Sequence, residues 1–248
     1  MPHYRDDPAL QAAAVTPPHP ISALPPAATI LGRIARSYNV IGGVADRLGA
    51  LAGVEPMAAL AVWYVESGGA AFVPGKPIMR FENHKFFRFW GKDHAAAFDA
   101  QFQMGGRNGV PGASHQNHRV RPGGAGAWRS FHGDQTKEYD VLALATQLGG
   151  KDAACMSASF GGAQIMGFNH DACGYATATA MFDAFAADPR WQVLGFFDFC
   201  RSNALMVDIR DHHWIDFGQR YNGDGAVYGP RLKEAYDLKP QFDALPRS

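Results

Sequence analysis

The chain has 248 residues, 47% of them hydrophobic, enough to bury one large core. Its 23 basic residues match 23 acidic ones, and this zero net charge excludes a general electrostatic attraction to nucleic acid or to anionic lipid. Cys155, Cys173 and Cys200 are an odd, widely spaced set that fits neither a disulfide framework nor a zinc site, so buried free thiols are expected.

Residues 1–28 carry Pro8, Pro17, Pro18, Pro20, Pro25 and Pro26 among small residues. That composition resists helix and sheet, and predicts an extended tail whose removal changes stability little. The terminus lacks a basic stretch followed by an apolar run, and the longest apolar run, Met57 to Val65, is too short for a bilayer span. The expectation is synthesis in the cytoplasm without an export signal, with no membrane partner. From Thr29 the pattern turns helical: Ile30, Leu31 and Ile34, then Val44, Leu48 and Leu51, read as two short core-packing helices.

Pro56 to Glu66 opens with proline, where a first helical turn tolerates it, and runs into the stop Ser67-Gly68-Gly69. Its near-continuous apolar character predicts a helix buried on most sides. Phe72 to Phe87 reads as a hairpin or irregular ribbon turning at Pro74-Gly75-Lys76-Pro77, and Asp93 to Gln103 as a short helix. The glycine-rich stretch Gly105 to Gly133 is too long for an ordinary connection, which points to a functional or mobile loop. The second half predicts helices over 134–148, 151–157, a turn near 164, 177–187, 190–207, 214–221 and 231–238. With no internal repeat, residues 29–248 are expected to form a single mainly helical (α+β) domain with a small β-hairpin.

Glu66 ends a helix that is otherwise apolar for ten residues, at the border of core and cleft. Partial desolvation there raises a carboxyl pKa and suits a general acid for a glycosidic oxygen. A plain helix-terminal glutamate is the alternative. Gln164, in GGAQIMGFN, offers an amide suited to a sugar hydroxyl or N-acetyl group, and Tyr221 and Asn222, in RYNG, offer a ring and a second amide. Each segment alone is most often a turn or a core aromatic. Glu82, in RFENH, follows Glu66 by sixteen residues on the far arm of the expected hairpin, where it could activate water across the cleft or pair with Arg80, His84 or Arg88. His84 reads as a hydrogen-bonding core or rim residue. His115 and His118 have ligand-like spacing but no cysteine or carboxylate cluster beside them in the sequence, so no metal and no other cofactor is expected.

Taken in order, ESGG at 66–69, GGAQIM at 161–166 and RYNG at 220–223 resemble the motif series of the lysozyme-like superfamily. More closely, ALAVWYVESGG, IMRFENHKFF, SASFGGAQIMGFNHDACGY and FGQRYNGDG resemble the phage-type N-acetylmuramidases found in endolysins, over roughly Ala50 to Leu238. The resemblance implies a lysozyme-like catalytic domain that cleaves peptidoglycan between N-acetylmuramic acid and N-acetylglucosamine. In it Glu66 is the acid and Gln164, Tyr221 and Asn222 line the substrate cleft; beside these, Glu82 stays a candidate second carboxylate and Ser67 a candidate substrate contact. The glycan strand is the expected partner, the cell wall the site of action, and a monomer the expected state. A lytic transglycosylase, an antibacterial muramidase toxin and a non-catalytic glycan-binding relative are the alternatives. Phe160 stands where the family pattern has tryptophan, the glycine-rich stretch is longer than expected, and residues 1–28 are too few for the N-terminal peptidoglycan-binding domain that many relatives carry.

Overall fold

A computed structural model describes residues 3–73 and 75–248. After the short helix α1 (Pro8–Gln11), the first long element is α2 (Ile30–Ala52), one continuous helix where two were expected. Gly42 and Gly43 do not break it because both are needed for packing: a Cβ on Gly42 would lie 2.7 Å from the Tyr38 ring, and one on Gly43 2.3 Å from the Thr16 carbonyl oxygen. The close approach at Gly43 seats the N-terminal segment.

That segment is docked, which corrects the expectation of an extended tail. Leu10 is fully buried and Ile21 nearly so. The Asp198 carboxylate accepts from the Tyr4 and Arg5 backbone N–H groups at 2.7 and 3.1 Å, and Arg190 Nη2 donates to the Ala13 carbonyl at 2.9 Å. Asn39 holds the Ile21 backbone from both sides, while Ile21 bridges Arg247 near the other end of the chain. The proline-rich composition correctly excludes long regular structure. It says nothing about backbone groups that side chains elsewhere capture.

The helix α3 (Pro56–Ser67) packs on α2, with Met57 to Trp63 buried. Next come a minimal ribbon, β1 (Phe72–Val73) with β2 (Lys76–Pro77), and the strand β3 (Met79–Phe81). Pro74, part of the expected turn, lies outside the described residues. The far arm of the expected hairpin is instead helical: α4 (Asn83–Phe89) begins directly after Glu82. Further on, α5 (Ala95–Gln101) runs into β4 (Phe102–Gln103), which pairs with β5 (Arg119–Val120) inside the glycine-rich stretch. The helices α6 (Gln135–Gly149) and α7 (Lys151–Met156) follow as expected.

The expected turn near Gln164 is a β-hairpin, β6 (Ala158–Phe160) and β7 (Ile165–Met166), and β6 pairs antiparallel with β3 to make a three-stranded sheet. Side chains of α6 close the open edge of β3. Gln135 donates to and accepts from the Met79 backbone at 2.8 and 2.9 Å, and the buried Glu138 accepts from the Phe81 N–H at 2.8 Å. An edge strand capped this way offers no free ladder for another chain.

The remaining body is helical: α8 (Ala178–Ala187), α9 (Pro189–Ser202), α10 (Met206–Arg210), α11 (Trp214–Asn222), α12 (Gly225–Tyr236) and α13 (Lys239–Asp243). The expected helix 190–207 is thus split between α9 and α10, and α12 starts six residues earlier than expected, with Pro230 inside it. The three cysteines are free and buried, as the sequence predicts. Among the described residues no helix is long and apolar enough to cross a membrane.

Candidate active site

Glu66 sits in the last turn of α3 because the chain must stop there. Gly68 takes a left-handed φ of +64° and donates its N–H to the Tyr64 carbonyl at 2.8 Å. Gly69, at φ +86°, is pinned by the Ser37 hydroxyl, which donates to its carbonyl at 2.6 Å; a Cβ there would meet Ser37 Oγ at 2.9 Å. Non-glycine residues at these positions would be strained, and the carboxylate would swing off the helix end.

The three motifs converge on this point. Gly162 lies directly on the Trp63 ring of α3, where a Cβ would sit 1.8 Å from an indole carbon, so the second glycine of GGAQ serves the packing of the hairpin on the Glu66 helix, while Gly161 lies against Gln192. Tyr221 donates its hydroxyl to the Ala163 carbonyl at 2.6 Å, joining α11 to the same turn. One residue on, the Asn222 amide donates to Glu66 Oε1. Burial pushes the half-buried Glu66 carboxyl up to about 7, despite the lowering effects of the Asn222 hydrogen bond and the Arg231 charge. The carbonyl end of the α3 dipole also disfavours the anion. At neutral pH a substantial fraction of Glu66 therefore carries its proton.

Other expected contacts are spoken for. Ser67 turns its hydroxyl back to the Trp63 carbonyl at 2.8 Å. Gln164, at φ +49°, donates to the Gly161 and Ile78 carbonyls and accepts from the Ser159 hydroxyl at 2.9 Å. It ties β6 to the end of the ribbon and has no free amide hydrogen for a sugar. The Tyr221 ring packs against Phe196, Phe199 and Phe217, so it is a core aromatic, not an open platform. Two residues missed from the sequence flank Glu66 from α12. Tyr228 is pushed up by burial and then by Glu66, against the lowering charges of Arg231 and Arg80. The only signal was the three-residue spacing of Tyr228 and Arg231 after the RYNG segment.

Glu82 has a different setting. Arg80 Nε donates to its Oε1 at 2.7 Å, while His84 Nδ1 and His118 Nδ1 stand 3.4 and 3.3 Å from Oε2. Burial would raise this carboxyl, but His84 and Arg80 overcome it and hold it down at about 2. The glycine-rich stretch supplies His118, buried by the fold and lowered by that burial to about 4, and His132, which bridges to Glu138. His115 is exposed and does not join His118. Among the described residues, Glu82, His84 and His118 form a group able to hold a metal ion. A pocket of about 610 Å³ lined by His212, Trp214, Lys233 and Tyr236 lies on α11 and α12 and includes neither Glu66 nor Glu82.

A helical body, a small antiparallel sheet and a desolvated glutamate at the end of a buried helix define a lysozyme-type glycoside hydrolase. The N-acetylmuramidase family model matches residues 55–239, and the chain belongs to that family. It is a peptidoglycan hydrolase. The crystal structure of Burkholderia AP3 phage endolysin is similar, with a TM-score of 0.60 and 28% sequence identity over 79% of this chain and 70% of that one. No curated protein sequence matches significantly.

Proposed function

We propose that this chain acts as a phage endolysin, with residues 29–248 as its catalytic domain, Glu66 as the general acid and Asn222 as the residue that positions it. The observation that carries this reading is the Glu66 carboxyl itself, pushed by burial to about 7 and held by the Asn222 amide. In that state it donates a proton to the glycosidic oxygen between N-acetylmuramic acid and N-acetylglucosamine as the bond breaks. Asn222 fixes the direction of the carboxyl, and Tyr228 and Arg231 face it from α12.

Glu82 belongs to the wall of the site in this reading. Its Oε1 accepts from the Arg80 guanidinium, and two imidazoles stand 3.3–3.4 Å from its Oε2. The likeness to an endolysin supports the biological role, and the family supports the bond cleaved. Mass spectrometry of fragments released from purified peptidoglycan tests the proposal. The expected products carry reducing N-acetylmuramic acid ends and disappear with Glu66→Gln; 1,6-anhydro ends, or equal release by the variant, would overturn it.

A further inference from the structure

We propose that Glu82, His84 and His118 form a binding site for a borderline divalent cation of the zinc type, which clamps the glycine-rich loop to the body of the enzyme. The site is independent of Glu66 and of the reading of the protein as an endolysin.

The fold brings the three residues together deliberately. Glu82 and His84 flank the start of α4, and His118 immediately precedes β5, thirty-four residues after His84. Between the first two, the fully buried Asn83 donates both amide hydrogens across the gap, to the Gln103 carbonyl at 2.8 Å and the Arg119 carbonyl at 2.9 Å. Asn83 therefore fixes the β4–β5 ribbon, and with it His118, against the other two residues.

The ligand atoms have the right spacing. Glu82 Oε2 lies 3.4 Å from His84 Nδ1 and 3.3 Å from His118 Nδ1, and the three residues each bring one ligand atom within 4.8 Å of the others. Donors bound at about 2.0 Å around a tetrahedral zinc stand roughly 3.3 Å apart. A carboxylate with two imidazoles suits zinc and its neighbours, and three protein ligands leave a position for water or a further donor.

Hydrogen-bond accounting points the same way. Glu82 Oε2 and His84 Nδ1 are buried and have no hydrogen-bond partner. Such atoms carry a desolvation cost unless something sits between them. His118 Nε2 donates to the Ser114 carbonyl at 2.9 Å, which leaves Nδ1 as the lone-pair nitrogen facing Glu82. A second-ring hydrogen bond to a backbone carbonyl is how metal-binding histidines are commonly oriented. Behind it, His132 contacts Glu138 through Nδ1 at 3.0 Å and turns Nε2 to His118 Nδ1 at 3.1 Å. With its Nδ1–H donating to Glu138, His132 keeps Nε2 as a lone pair turned to His118 Nδ1, just outside the three ligands. Arg80 holds only the outer oxygen of Glu82, leaving Oε2 for the cation.

Isothermal titration of chelator-treated full-length protein with Zn²⁺ tests the site, together with thermal melts and the visible absorption of the Co²⁺ form, which reports tetrahedral coordination. The expected result is one equivalent of Zn²⁺ bound, a melting temperature that rises with Zn²⁺, and an intense Co²⁺ spectrum. His84→Ala should lower affinity by at least about 100-fold, and His132→Gln, in the outer layer, by about 10-fold. His115→Ala, off the cluster, should bind as wild type. Because His118 is fully buried, His84→Ala, whose imidazole is partly exposed, is the informative ligand variant, checked for folding by circular dichroism. Absence of Zn²⁺ binding to wild type, or equal binding by folded His84→Ala, would overturn the site and mark the cluster as a proton-bridged network.

Discussion

Two partly buried glutamates sixteen residues apart meet opposite fates in this molecule. Burial is the largest influence on both, and on both it acts to raise the pKa. Glu66 has one neutral amide and a single nearby cation against that cost, and moves up to about 7. Glu82 has a guanidinium at 2.7 Å and two imidazoles at its other oxygen, and moves down to about 2. Desolvation alone does not mark a general acid; desolvation without compensating charge does. The first glutamate is placed to keep a proton, the second to stay an anion.

The largest effect that would break this contrast is kinetic. Glu66→Gln should fold normally and lose about 1000-fold in turnover, the range spanned by general acids, in a turbidity assay on cell walls. Glu82→Gln should leave kcat within about 10-fold of wild type, because no proton is exchanged there. Comparable losses in kcat for the two variants would return Glu82 to the reacting atoms.

Stability should separate them by sign. Glu82 has a lowered folded pKa, so its contribution is present above the ordinary value of 4.5 and is lost as pH falls toward about 2. In chelator at pH 7, Glu82→Gln is therefore expected to cost on the order of 2 kcal/mol by urea denaturation, with the difference closing in acid. Glu66 has a raised folded pKa, so its favourable term is present below 4.5 and lost as pH rises through about 7. Glu66→Gln should thus be more stable than wild type at pH 8, on the order of 2 kcal/mol, and little changed at pH 4. A loss of stability at pH 8 would mean that the Glu66 anion is well solvated.

The smallest expected effect refines the acid's surroundings. Asn222→Ala removes a hydrogen bond that favours the Glu66 anion, so the basic limb of the pH–rate profile should move up while turnover at the optimum drops about 10-fold. An unmoved limb would show that the Asn222 contact is structural only.

The Glu66 half of this contrast was legible in the sequence, and the Glu82 half was not. Pro56, the apolar run and Ser67-Gly68-Gly69 are local signals that fix where α3 starts and stops, so the place of Glu66 at its end followed from nearest neighbours. The β3–β6 pairing joins three-residue strands separated by nearly eighty residues, and no local pattern announces it. His118 reaches Glu82 through the same kind of distant contact, set by Asn83. Gln164 and Tyr221 were placed in the right neighbourhood, but a motif does not reveal whether a polar group faces solvent or closes a turn. Residues 1–28 misled for a related reason: their composition hides the one buried leucine and the backbone groups taken up by Asp198, Arg190 and Asn39.

The central claim, that Glu66 stands protonated where Glu82 does not, is tested most directly by carbon-13 NMR titration of glutamate-labelled protein, with Glu66→Gln identifying the resonance. The account predicts one glutamate carboxyl that titrates near 7 and vanishes in the variant. A Glu66 carboxyl that titrates near the ordinary 4.5 would contradict it.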